Sequence, residues 1–175
     1  MQAADFITVF GRLLRDGVMR DAFAADARAL AAQLNLREQD YEALAQLVPA
    51  DLEFQANVLL GKRFEVVGRM IPETCRRLGA EAWPVFRAYG RTHWPASEQS
   101  ATHDAHDFCR HLQQQQPNPN CKAEVNRLRF ALSETRFAVH FIARERLGNR
   151  ATPALQLLFR FRRQRWRETM IYCRL

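Results

Sequence analysis

The sequence predicts an α+β protein, a helical N-terminal body followed by a C-terminal three-stranded antiparallel sheet. Three observations predict it. Up to residue 116, apolar residues recur at helical spacing. From about residue 136 the spacing changes to strict alternation. Between the two lies QQQQPNPNC (residues 113–121), a polar stretch with two prolines and turn-forming asparagines. The expected organisation is a helical body over 1–116 and a module over 117–175, made of a short helix and three basic strands.

The first element is carried by ADFITVFGRLLRD, where Phe6, Val9, Phe10, Leu13 and Leu14 fall at i, i+3, i+4, i+7 and i+8, one amphipathic face. Asp16 and Gly17 break the run. MRDAFAADARALAAQL reads as one helix with Phe23, Ala27, Leu30 and Leu34 inward. REQDYEALAQLV gives a third, stopped by Pro49. The longest candidate is DLEFQANVLLGKRFEVVGRMI, with Asp51 as its cap and Leu52, Leu59, Phe64, Val67 and Ile71 on its apolar side. Pro72 marks a restart, and Trp83-Pro84 and Trp94-Pro95 punctuate the segment between it and the last helix of the body. SATHDAHDFCRHLQQQQ closes the body with Ala105, Phe108, Cys109 and Leu112 inward. Asn120 is the expected cap of a helix with Val125, Leu128 and Leu132 on one face. RFAVHFIARE, ALQLLFRFR and RWRETMIYC then alternate as strands, joined by the loop LGNRATP and a tight turn near Arg163-Gln164. One face of this sheet is expected to pack on the helix at 120–132, the basic face to meet solvent or a partner. The first and third strands are edges.

The 175 residues suit one domain or one domain with a compact appendage, and the apolar fraction of 47% is enough for a core. No apolar run approaches the roughly 20 residues of a membrane span. MQAADFITVF lacks a basic n-region and a small-residue cleavage site, so a cytoplasmic location is expected. Cys75, Cys109, Cys121 and Cys173 form no C-x-x-C pair and read as free thiols. The net charge of +7 is uneven. Residues 1–122 hold 14 basic and 15 acidic residues, a net of −1. Residues 123–175 hold 12 arginines and four glutamates, a net of +8.

Chemistry-bearing patterns are few. His103, Asp107 and His111 share one helix stripe, but eight helical residues rise about 12 Å, too far for both histidines to hold one metal. They read as a solvated face with i, i+4 pairs, and no metal site is expected. Cys109 with His106 could pair as nucleophile and base, yet Cys109 lies on the apolar stripe, so packing is the reading. G-x-S-x-G, P-loop, G-x-G-x-x-G and H-E-x-x-H are absent. Trp83, Phe86, Tyr89 and Trp94 are spaced like a helix face and its exit, as core or, alternatively, as a partner-facing patch. The arginines at 160, 162, 163, 165 and 167, with Trp166 and Tyr172, suit a peptide-docking edge, a solvated face, or a nucleic-acid surface. Protein or peptide docking is the leading choice, nucleic-acid binding the alternative.

Four stretches carry a resemblance over nearly the full chain: LLRDGVMRDAFAADARALAAQLNL, LLGKRFEVVGRMIPETCRRLGAEAWPVFRAYGRTHWP, DAHDFCRHL, and AEVNRLRFALS before the basic strands. They resemble the partner proteins, of MbnC type, that accompany TIM-barrel multinuclear iron oxygenases in methanobactin biosynthesis. The resemblance implies a non-catalytic subunit of a heterodimer. The MbnB-like oxygenase would hold the iron and convert cysteine of a precursor's core peptide to an oxazolone and neighbouring thioamide. This chain, with no cofactor of its own, would bind the MbnA-like leader and present the core. Neither nucleic acid nor membrane is an expected partner. The strand pattern nominates Phe159, Phe161, Arg165, Trp166, Arg167, Met170 and Tyr172 for the peptide, with the last strand as receiving edge and the first as runner-up. Trp83, Phe86, Tyr89 and Trp94 are nominated for the surface against the enzyme.

Overall fold

The structure, a computed structural model, describes residues 5–95, 100–115, 121–147, 150–162 and 165–173. Helices α1 (Phe6–Arg15), α2 (Gly17–Ala25), α3 (Ala27–Gln33), α4 (Glu38–Ala45), α5 (Pro49–Met70), α6 (Pro72–Leu78), α7 (Ala82–Thr92), α8 (Ser100–Gln115) and α9 (Lys122–Leu132) precede strands β1 (Phe137–Leu147), β2 (Arg150–Arg162) and β3 (Arg165–Tyr172). The fold is α+β, as the change of period predicts. No helix among the described residues is long and apolar enough to cross a membrane.

The chain forms two compact units, Met1–Val66 with Trp83–Ala96, and Val67–Ala82 with Ser97–Leu175. The expected division at 116/117 falls inside the second unit, because α8 packs on α9.

In the first unit, three aspartates organise the short helices. The carboxylates of Asp5, Asp16 and Asp26 accept from the backbone N–H groups of Thr8, of Val18 and Met19, and of Arg28 and Ala29. Each supplies an acceptor that a helix start lacks. Asp26, extended at φ −158°, splits the stretch expected as one helix into α2 and α3. Asn35, at φ 51°, closes α3: its N–H bonds Ala32 and that of Leu36 bonds Ala31. Pro49 begins α5 instead of merely ending α4, so Asp51 lies in the first turn and not at the cap. Pro84 likewise sits in the first turn of α7, where a missing N–H costs little.

Val9, Leu13, Met19, Phe23, Leu30, Leu44 and Leu52 form one core cluster. Phe64 packs on Trp83 and Phe86, with ring centroids 5.7 and 5.1 Å apart. Gly17 is required by packing, since a Cβ there would lie 2.9 Å from the carbonyl oxygen of Arg91. Arg20, only 4% exposed, donates to Glu53 at 2.8 Å and to the carbonyl of Leu13 at 2.8 Å, satisfying the end of α1.

In the second unit the sheet order is β1-β2-β3, antiparallel throughout. Phe137 pairs with Phe159, Val139 with Leu157 and Phe141 with Leu155; Leu155 pairs with Ile171, Leu157 with Thr169 and Phe159 with Arg167. β1 and β2 run on through much of the expected loop, to Leu147 and from Arg150. The expected caps and turns at Asn120 and Arg163-Gln164, and residues 148–149, lie outside the described residues.

The sheet faces are not the expected ones. Ile142, Ala154, Gln156 and Leu158 are buried on the face toward α9. Arg160 shares that parity and turns inward, its Nη2 donating to the carbonyls of Phe130 at 2.5 Å and Ser133 at 2.8 Å. It thereby caps the C-terminus of α9, where orphan carbonyls favour a cation. Leu157, Phe159 and Phe161 take the opposite face, with Phe161 69% exposed. The phenylalanine parity therefore points away from the helix.

Candidate functional site

The site begins with strand order. β1 and β3 each have one strand neighbour among the described residues. The N–H of Cys173 donates to the carbonyl of Pro153, at 2.9 Å, so it points at β2. Backbone direction alternates along a strand. Arg167, Thr169 and Ile171 therefore also bond toward β2, while the N–H and C=O groups of Trp166, Glu168, Met170 and Tyr172 point to the open edge. By the same alternation, Arg160 donating to Arg136 at 2.8 Å leaves Phe137, Val139 and Phe141 facing outward from β1.

A cleft of about 490 Å³ adjoins the β3 edge. Met170 and Tyr172 line it from the sheet, Glu124 and Arg127 from α9, and Pro72, Glu73 and Arg76 from α6. Its wall is held by a buried carboxylate. Glu124 accepts from the N–H of Glu73 at 2.6 Å, from the N–H of Thr74 at 2.8 Å and from the Thr74 hydroxyl at 2.7 Å. The side chain of α9 thus caps α6, whose own cap residue Ile71 has no side-chain acceptor. Burial pushes the Glu124 pKa above the ordinary glutamate range, outweighing the Thr74 hydrogen bonds and the charges of Arg127 and Arg77. A second buried polar group, Gln156, donates to the carbonyl of Ala123 at 2.8 Å and to Glu168 at 2.7 Å, and accepts from Asn126 at 3.0 Å. Arg127 Nε and Glu73 Oε1 are shielded from solvent without a hydrogen bond. A smaller cleft of about 370 Å³ lies by the β1 edge, among Lys122, Asn126, Arg129, His140 and Phe141.

The nominated peptide residues divide between two faces. Trp166, Met170 and Tyr172 are half-buried on the α9 side, with Trp166 edge-on to Phe130 at 6.2 Å. Phe159, Phe161, Arg165 and Arg167 lie on the outward face. The nominated enzyme surface divides too. Phe86 and Tyr89 are core residues and offer no surface. Trp83 is half-buried, and Trp94 is 37% exposed between Arg63 and Arg15, at 4.9 and 5.6 Å from its ring. Glu73, Arg76, Glu124 and Arg127 were not nominated from the sequence. Their signal is faint: a proline-initiated helix whose cap residue is apolar, needing an acceptor from elsewhere.

No group of three metal-ligating side chains comes together among the described residues. His103 and Asp107 are exposed. Burial, with the charge of Glu124 next in weight, pushes the Cys109 thiol up to about 12, a poor setting for a nucleophile.

The family described as SCO6045-like, C-terminal domain, matches residues 45–114, from the end of α4 through most of α8. The match leaves the strands uncovered. No curated protein and no solved structure matches the chain.

Proposed function

We propose that this protein is a non-catalytic partner subunit in ribosomal peptide modification of methanobactin type. It takes the leader of an MbnA-like precursor as an added strand and presents the core cysteines to an MbnB-like TIM-barrel iron oxygenase. The iron and the oxidation to oxazolone and thioamide belong to that enzyme. The observation that carries the reading is the open β3 edge: of its four outward backbone positions, Trp166 to Tyr172, Met170 and Tyr172 line the cleft formed with α6 and α9. A leader strand gains main-chain hydrogen bonds from such an edge and specificity from alternate side chains entering the cleft. Met170 and Tyr172 form the sheet side of that cleft; Arg76 and Arg127, paired with Glu73 and Glu168, are the cations an acidic leader residue would share. The sequence resemblance points the same way.

Met170→Pro tests it. This change removes an outward N–H and leaves the β2–β3 hydrogen bonds in place. Titration of a fluorescent synthetic MbnA-like leader peptide is expected to show at least tenfold weaker binding. Equal binding by the variant would sink the choice of edge. Thr169→Pro, which strikes a bond toward β2, serves as the control for unfolding and is expected to lower the melting temperature more.

A further inference from the structure

We infer that the outward face of the sheet docks an amphipathic helix of a partner protein, with carboxylates at the end of that helix nearest β3 residues 165–167. The inference does not rest on leader binding, which uses a strand edge and the other face. Phe137, Val139, Phe141, Leu157, Phe159 and Ile171 form neighbouring rows across all three strands. Phe141 is 65% exposed, and Phe137, Val139 and Ile171 are each about half exposed. A contiguous apolar surface of this kind marks an interaction site. The described charges on this face are Arg165 and Arg167, both exposed, with no acidic side chain among them.

Size and charge select the occupant. Three strands at about 4.8 Å spacing and five to seven residues at about 3.3 Å give a face of roughly 14 by 20 Å. That is well under the roughly 800 Å² per partner of a stable association, so any occupant is held weakly, and a second copy, whose own face carries these arginines and no described acid, supplies no carboxylate to meet them. One helix, about 10 Å across, fits the width and completes a helix-on-sheet layer. The arginines at one end require acidic groups opposite them. Nucleic acid suits the face less, since its described cations, Arg165 and Arg167, sit at one end and form no basic groove to track a phosphate backbone.

The test uses the full chain and two synthetic 18-residue helical peptides with the same leucine stripe at i, i+3, i+4 and i+7. One carries two glutamates at one end, the other two lysines. The acidic peptide is expected to bind in the micromolar range, at least tenfold tighter than the basic one. Phe141→Glu should abolish its binding, Arg167→Glu should erase the preference, the Arg165→Glu, Arg167→Glu double change should reverse it, and Met170→Pro should leave it unchanged. Circular dichroism confirms that each variant is folded. No binding of the acidic peptide at 200 µM, or equal binding of both peptides, overturns the inference. So does a dimer in sedimentation at 50 µM that Phe141→Glu dissolves, or tighter binding of an oligo(dT) that depends on Phe137 and Phe159.

Discussion

In the first unit, Phe86 and Tyr89 are buried while Arg63 lies over both rings, 5.4 and 5.7 Å from their centres. In the second, Phe137, Phe141 and Phe161 stand in solvent while Arg160 turns inward to hold a helix end. The first unit buries Phe23, Phe86 and Tyr89, leaves Phe54 exposed, and sets Arg20 and Arg63 against main-chain carbonyls. The second keeps one sheet face for its core and leaves the more aromatic one outside. Burial alone does not explain that choice, because the inward parity of β2, Ala154, Gln156, Leu158 and Arg160, is the less apolar of the two. The difference teaches that the sheet is oriented by its polar attachments to α9, which leave its more apolar parity outward.

The contrast can be broken where it is strongest. Arg20→Met leaves Glu53 without its most buried partner and uncaps α1, so it is expected to cost about 3–4 kcal/mol by urea unfolding. A loss under about 1 kcal/mol would mean that Arg91, 2.5 Å from Glu53, already suffices. Ile142→Ala is expected to cost about 3 kcal/mol, as a buried aliphatic of the sheet. Its neighbour Phe141→Ser should change stability by less than about 0.5 kcal/mol. Equal costs at the two positions would show that the outward face is not exposed in solution. Between these extremes, Arg160→Ala should cost about 2 kcal/mol and raise amide exchange in the last turn of α9 before it affects β1.

A smaller effect, read as a slope, belongs to Glu124. A carboxyl whose folded-state pKa exceeds its unfolded one contributes stability that is complete below the unfolded value of about 4.5 and is lost as pH rises through the folded value. Urea midpoints measured from pH 4 upward should therefore fall for the native chain relative to Glu124→Gln. A constant difference between the two curves would contradict the burial of this group.

Much of the architecture was legible in the sequence, and the gaps have physical causes. The α1 stripe placed Val9 and Leu13 inward correctly, and the change of period located three antiparallel strands in order. The break at Asp26 was hidden because its neighbours are good helix formers; the aspartate wins by bonding two backbone donors itself. Alternation in ALQLLFRFR announced two faces without saying which is inside. Hydrophobicity would bury Leu157, Phe159 and Phe161, but Gln156 and Arg160 bond the carbonyls of Ala123 and Phe130 on α9. The cleft was invisible because its residues lie far apart in the chain, Glu73 and Glu124 meeting only through the capping of α6.

Arg160 has one more consequence. A slip of β2 by one residue would exchange its faces and bury Leu155, Leu157 and Phe159 in place of Gln156 and Arg160, so hydrophobicity does not oppose it. Such a slip would carry the guanidinium to the far side and strip α9 of the donor that closes it. A single side chain thus acts as a latch on strand alignment, and keeps the phenylalanine side outermost each time the chain folds.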